Sequence, residues 1–463
     1  MAIVTLTVAA VGYAPPAAAI APPTIDLAAD IAPPDADPAP ALPMKQNTVC
    51  ATSAVLADSQ FNTIPASDVF GVGELHNFAR GDGQVVAVID SGVQPVTRLA
   101  RLRGGGDYLV SGDGLSDCDH HGTLIAGIIA AAPSPKDGFV GVAPGAEIVS
   151  IRQTSAAFTE EHLPPGYGEA DRSAANLMAL AKAIVHAANL GATVINLSIT
   201  ACYDAGSPVD LRPLAGALYY AAVVHDAVIV AAAGNTGDQQ HQTTGAQQHQ
   251  TCQPNPGYDP ANPGDARNWD GVRSVSLPSY FSDLVLSVAG TTLTGDPYVN
   301  SMPGPWVGAA APSMNIVSLD PTEPQPGALT NAALVKGAPI PLNGTSFAAA
   351  YVSGLAALIR EKYKDLSAHQ VINRILATAH TPAQGLTNTL GAGIIDAKAA
   401  LTADVPRGDI VAPGVPSVAA PAPKPPPAKD NTARNVSLIA LGATVAVLAV
   451  VALTVFATRR SDS

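Results

Sequence analysis

Five short runs of apolar, largely β-branched residues recur between residues 84 and 290. They are QVVAVID (84–90), AEIVSIR (146–152), ATVINLS (192–198), AVIVAAAG (227–234) and LVLSVAG (284–290). None alternates strictly between polar and apolar, so each fits a strand buried on both faces. Between them the period changes. Leu177, Leu180, Ile184 and Ala187 recur three or four apart, and ALYYAAVVHDA (217–227) keeps the same spacing, so both predict helices. Doubly buried strands alternating with helices predict an α/β fold: a mostly parallel open sheet with helices on both faces. Ligands of such sheets bind beyond the carboxyl ends of the strands. Polar residues collect there: Asp90 ends one run, Asn196 and Ser198 end another, and Asn235 follows a third.

The flanks carry no such pattern. Residues 20–66 are rich in Pro, Ala and Asp without a sustained period, and predict an extended arm. Residues 403–434 form a Pro-rich linker, semi-rigid at ~3.1 Å per residue. Residues 1–19 are apolar and end in small residues with A-x-A spacing, which fits a signal peptide cleaved after Ala19. Residues 436–457 are apolar without a charge, long enough for a transmembrane helix. Arg434 precedes that span and Arg459 and Arg460 follow it, which favours a cytoplasmic tail at 458–463 and an exported body at 67–402. Residues 236–272 are long and aperiodic, as an insertion loop would be. His241 and His249 lie there in Gln-rich tracts, which read as solvated rather than metal-binding.

Composition narrows the function classes. The net charge of −13 over 463 residues argues against a nucleic-acid partner. The four cysteines, Cys50, Cys118, Cys202 and Cys252, include no CxxC pair, so a zinc site is not expected. An even number in an exported chain suggests two disulfides, for which three pairings are open.

Candidate chemistry begins at NGTSFAAAYVSG (343–354), where Ser346 stands at the mouth of a helix of small residues. Such a serine could simply cap the helix. As a nucleophile it needs a base and an acid that orients the base. DCDHHGTLIAGIIAA (117–131) supplies His121 at a helix start, and Asp90 closes VVAVIDSGV. Asp119, His120 and His121 also spell the DHH of a metal phosphoesterase class, but that class is cytosolic and needs further aspartates. The order Asp90, His121, Ser346 is that of the subtilisin triad.

VVAVIDSGV, HGTLIAG and NGTSFAAAYVSG resemble the three active-site motifs of subtilisin-like serine proteases, the S8 subtilases. AAAGN resembles the segment with the family's oxyanion asparagine, GVAPGAEI (141–148) the strand lead-in after the histidine helix, and VINLSI (194–199) a substrate-binding edge. The resemblance spans roughly residues 70 to 402. It implies a subtilisin-like fold, catalysis by Asp90, His121 and Ser346, and an oxyanion hole using Asn235. It further implies substrate binding by Ser198, Ile199, Thr200, Ala232 and Gly234. The chain shows no calcium-loop motif of the family, so no cofactor or metal is expected. Thr200 stands where many subtilisins have Gly, which would narrow the specificity pocket. The order of segments, with DGLSDCDHHGT (113–123) and SMPGPWVGAAAP (301–312), looks like that of mycosins, membrane-anchored subtilases of type VII secretion systems. That implies a serine endopeptidase outside the cytoplasm, acting on peptide or protein substrates, with the membrane and the secretion complex as partners. The alternative is a stabiliser of that complex with proteolysis secondary. The expected disulfides are Cys50–Cys118, tying arm to body, and Cys202–Cys252, tethering the long loop.

Overall fold

The computed structural model describes residues 20–237, 252–322 and 327–416. All five predicted strands form, joined by two more. In chain order they are β1 (Val85–Asp90), β2 (Leu102–Asp107), β3 (Glu147–Arg152), β4 (Val194–Leu197), β5 (Val228–Ala232), β6 (Val285–Thr291) and β7 (Val307–Pro312). They pair in parallel in the order β2-β3-β1-β4-β5-β6-β7. The chain therefore starts in the middle of the sheet, fills one edge, and then builds out to the other. The reversal falls between β1 and β4, where connections leave in opposite directions and open a crevice at the carboxyl ends. Asp90 is the last residue of β1, and Ser198 lies one residue beyond β4.

The two-residue period of the strands divides the core into two layers. Val86, Val88, Val194 and Val230 join the cluster that contains Leu124 and Ile128 of α1 (His121–Ala130). Ala87, Ile89, Ile195 and Ile229 join the cluster built with Leu180 and Ile184 of α2 (Glu169–Asn189) and Leu214 of α3 (Arg212–Tyr219). The helix predicted at 217–227 thus starts earlier, with Pro213 in its first turn, and ends in a π-helical turn over Tyr220–Val224.

The longest buried element is α4 (Thr345–Lys362), which is buried from Thr345 through Ile359 and lies in the first layer. A helix enclosed on all sides needs small residues wherever neighbours come close. At Gly354 an added Cβ would stand 2.5 Å from Cβ of Val142. The run Ala348–Ala350 meets the same need, since all three are fully buried.

The arm is extended and lies along the body. Ile25, Leu27 and Ala32 pack on the second layer. Asp35 bonds His186 and Asn189 of α2, each at 2.8 Å. Met44–Gln46 pairs antiparallel with Phe158–Glu160, and Ser53 and Ala54 pair with Ala332 and Ala333. Disulfides join Cys50 to Cys118 and Cys202 to Cys252. The boundary expected after residue 66 falls inside a short helix, Pro65–Phe70, so arm and body merge without a break. The segments read as signal peptide (1–19), transmembrane helix (436–457) and tail (458–463) lie outside the described residues, as do His241, His249 and the linker beyond residue 416. Among the described residues no helix is long and apolar enough to cross a membrane.

The packing of α4 gives a test. Gly354→Ala gains ~1 kcal/mol of helix propensity, but forcing a methyl into a filled site costs ~1–3 kcal/mol. The expected net effect is destabilisation, read as a lower midpoint in thermal or denaturant unfolding.

Candidate active site

The histidine is placed by the loop that precedes its helix. The Asp119 carboxylate accepts hydrogen bonds from the Ser155 hydroxyl at 2.7 Å and the Ala156 N–H at 2.8 Å. Two residues earlier, Asp117 accepts from the Thr123 N–H at 2.8 Å and its hydroxyl at 2.6 Å, which satisfies a free donor of the first turn of α1. Between these anchors and the Cys50–Cys118 bond the chain turns sharply. His120 absorbs the turn with a left-handed backbone, φ 64°, uncommon for a residue with a Cβ. Its Nδ1 lies 2.9 Å from the Ser53 hydroxyl of the arm, so His120 is a structural neighbour of the site. His121 then opens α1. Gly122 follows because a Cβ there would overlap the Gly92 carbonyl and meet Asp90 Cβ at 3.2 Å.

This brings three sequence candidates into one chain. His121 Nδ1–H donates to Asp90 Oδ1 at 2.7 Å, and the Ser346 hydroxyl lies 3.0 Å from His121 Nε2. A carboxylate only accepts, so the bond to Asp90 fixes the proton on Nδ1 and leaves Nε2 free to accept from Ser346. All three residues are at most 3 % exposed. Burial disfavours the imidazolium, but the Asp90 carboxylate, with Asp117 and Asp119 behind it, outweighs that and raises the His121 pKa above its ordinary value. Phe347 packs against the imidazole with ring centroids 5.7 Å apart.

Ser346 does not cap its helix. Gly344 holds the N-cap position and Ser346 is the second residue of α4. Its hydroxyl is therefore free of capping and points to His121, within the positive end of the helix dipole. The Asn235 carbonyl oxygen accepts from the Thr345 N–H at 3.1 Å and hydroxyl at 3.2 Å. Those bonds orient the Asn235 amide with its NH2 on the other side. A Cβ on residue 344 would fall 3.3 Å from Ser346 Oγ and 3.7 Å from Asn235 Nδ2, so the lack of a side chain on Gly344 keeps the space between them open.

The remaining candidates divide. Ser198 is turned inward: its hydroxyl donates to the Ser346 carbonyl at 3.1 Å and accepts from Asn196 Nδ2 at 2.8 Å, while the Ser353 hydroxyl donates to Asn196 Oδ1 at 2.9 Å. This buried series ties the end of β4 to the first three turns of α4. Nothing in the sequence assigns Asn196 or Ser353 to it, although Asn196 stands at the strand end where polar residues are expected. Ile199 and Thr200 are half-buried and belong to no strand. The Ala232 carbonyl is taken by the Ser279 hydroxyl at 2.8 Å and the Gly234 carbonyl by the Met302 N–H at 2.9 Å. Gly234 has φ +104°, with Ser276 Oγ and Met302 Sδ within 3.3 Å of where a Cβ would be. Both carbonyls are thus engaged within the fold. Because Ser198 holds the Ser346 carbonyl, Ser198→Ala is expected to lower kcat by up to about tenfold with little change in KM. Steady-state kinetics on a peptide substrate decide it, and a change confined to KM would instead make Ser198 a substrate contact.

The model of the subtilase family matches residues 81–393. Mycosin-3 of Mycobacterium tuberculosis is 45% identical over 457 residues, covering 97% of this chain and 95% of that protein. The crystal structure of MycP1 from Mycobacterium smegmatis superposes with a TM-score of 0.79 at 45% identity, covering 85% of this chain and 98% of that one. A chain in the structure of an intact ESX-5 inner membrane complex does so with a TM-score of 0.77 at 42% identity, covering 93% of this chain and 99% of that one. With the subtilisin-like sheet and the Asp–His–Ser geometry already in place, these likenesses identify the chain as a serine endopeptidase of the subtilase family and, within that family, as a mycosin.

Proposed function

We propose that Ser346 is the nucleophile, His121 the general base and Asp90 its orienting acid in peptide-bond hydrolysis. The observation that carries this is the unbroken hydrogen-bonded series from Asp90 through His121 to Ser346. His121 Nε2 takes the Ser346 proton as Oγ attacks the scissile carbonyl. The imidazolium that forms faces the Asp90 carboxylate, and it returns the proton to the leaving amine. The tetrahedral oxyanion develops in the space that Gly344 leaves open, where Asn235 Nδ2 and the Ser346 N–H donate to it. Water then hydrolyses the acyl-enzyme by the same route. The strand-free residues Ile199 and Thr200 offer a peptide substrate an edge beside the crevice, with Thr200 favouring small side chains.

The body is further proposed to work outside the cytoplasm, exported by residues 1–19 and anchored by residues 436–457 through the part of the 403–434 linker beyond residue 416. Before that point Ala412 and Val415 are buried in the second core layer, and the Gly408, Ile410 and Pro416 carbonyls accept from Gln370, Ser367 and Tyr219. The relative in the ESX-5 inner membrane complex supports a place beside a type VII secretion assembly. Anchoring raises the effective concentration toward membrane partners without a new contact. The same relative favours a second role, in which the folded body stabilises the complex independently of cleavage.

A fluorophosphonate probe is expected to label the wild-type protein and to fail on Ser346→Ala and His121→Ala; labelling that persists in Ser346→Ala refutes the assignment. Asn235→Ala is expected to lower kcat ~10²–10³-fold with KM nearly unchanged, the range known for one side-chain donor in a subtilase. Enzyme and scaffold separate in cells. At matched expression, Ser346→Ala is expected to stop cleavage but leave secretion in place, whereas deletion, or truncation before Val436, impairs secretion. Equal loss in Ser346→Ala and the deletion would leave proteolysis as the whole function.

A further inference from the structure

We propose that Asp117 is a fourth ionisable member of the catalytic series, a positioning residue that acts on His121 through the Ser91 hydroxyl and Asp90. The proposal rests on the triad assignment above. Asp117 is 6 % exposed and lies on the loop that anchors α1. While Oδ2 is occupied by Thr123, Oδ1 lies 2.8 Å from Ser91 Oγ. Ser91 Oγ lies in turn 3.1 Å from Asp90 Oδ1, the oxygen that holds His121. The Ser91 oxygen also accepts the Gly122 N–H at 3.0 Å.

The constraint is a proton count. A hydroxyl has one proton to donate, and here it lies between two carboxylates. With Asp117 ionised, both want that proton, and the shorter contact is to Asp117. Asp90 Oδ1 is then left with the Ser91 N–H and His121 Nδ1–H, and it faces a hydroxyl lone pair. With Asp117 protonated, the conflict disappears. Asp117 donates to Ser91, Ser91 donates to Asp90, and Oδ2 still accepts from Thr123. When Asp117 loses its proton to solvent, the Ser91 O–H swings from Asp90 to Asp117. Asp90 loses a donor, a second negative charge appears behind it, and both changes strengthen the hold on a protonated His121.

The switch lies in a useful range. Burial lifts the Asp117 pKa to about 6, against the bonds from Thr123 and Ser91 and with help from the Asp90 charge. The ionisable groups bearing on the series are Asp90 from β1 and Asp119 and His121 from the loop and α1. His120, near Asp320, is held on the arm side by Ser53. The base works only when neutral, so ionising Asp117 moves the onset of activity to higher pH. In Asp117→Asn the amide NH2 donates permanently to Ser91 and the carbonyl accepts from Thr123, which freezes the arrangement of the protonated acid.

The experiment is the pH profile of kcat/KM. Asp117→Asn is expected to shift the acid limb to lower pH, raising kcat/KM at pH 5.5, scaled to its alkaline plateau, by about threefold or more with KM unmoved. In a Ser91→Ala background the same substitution is expected to shift the limb less. Profiles that superimpose after scaling overturn the proposal, because a purely structural role changes the plateau and not the limb. Equal shifts in both backgrounds overturn the role of the hydroxyl. A measurement on Ser346→Ala protein with Asp117 and Ser91 intact covers the case in which the Asp117 and Ser91 variants fail to fold. The low-field His121 Nδ1 proton resonance is expected to show a second inflection at about pH 6, and a single inflection refutes the coupling. Fluorophosphonate labelling of Ser346 in the wild type is independent of either outcome, so failure here would leave the triad standing.

Discussion

The site depends on the 2.7 Å bond between Asp90 and His121, and that bond joins two parts of the fold positioned by different means. Asp90 is fixed by the sheet, since β1 is paired along its length with β3 and β4 and ends at the crevice between opposite windings. His121 is fixed by a loop, held through Asp117, Asp119 and the Cys50–Cys118 bond and strained at His120. A carboxylate buried without a partner is costly, so closing this contact offsets part of the burial of Asp90, whose Oδ1 also accepts from the Ser91 N–H at 2.7 Å while its Oδ2 has no hydrogen-bond partner among the described residues. The proposed nucleophile comes from a third source. α4 delivers Ser346 because its first four turns are enclosed by both sheet and helix, which leaves it little freedom to shift along its axis.

Small residues make these approaches possible, and each gives up something. Gly122 lets α1 come against Asp90, Gly344 leaves the space between Ser346 and Asn235 open, and Gly354 lets α4 come against Val142. Glycine in a helix costs roughly 1 kcal/mol relative to alanine. The fold accepts that cost at Gly122 and Gly354, where closeness matters more than local preference. The buried hydrogen bonds from Ser353 through Asn196 and Ser198 to the Ser346 carbonyl compensate by binding helix to sheet with polar groups that are mutually satisfied.

Much of this is legible in the residues. Strands buried on both faces are continuous apolar runs, and β1, β3, β4, β5 and β6 all stand out that way. β2 and β7 do not. LRGGGD has no apolar run, since Gly105 lies against β3, with Val149 Cγ1 2.5 Å from where its Cβ would be. VGAAAP is made of small residues that neither period distinguishes. Asp90, His121, Ser346 and Asn235 are recognisable from motifs and triad order, which are local in sequence. Asp117, Ser91, Asn196 and Ser353 lie inside or beside the same motifs, but their roles are contacts between segments 26 and 157 residues apart. No period or spacing records such contacts. The capping role open to Ser346 falls to Gly344, because a hydroxyl already engaged with the helix could not face the histidine.

The Cys50–Cys118 bond has a topological consequence. It closes a ring of covalent chain that contains the end of the arm, the helix Pro65–Phe70, β1, β2 and the loop before His121. A nick between residues 51 and 64 would open that ring without dividing the molecule. The segment from Cys50 to the nick would stay bound to the loop before His121 through sulfur, and of cuts in the arm only one before Cys50 would free a fragment. Any maturation by loss of the N-terminal segment is therefore limited by where the backbone is cut rather than by how tightly the arm packs.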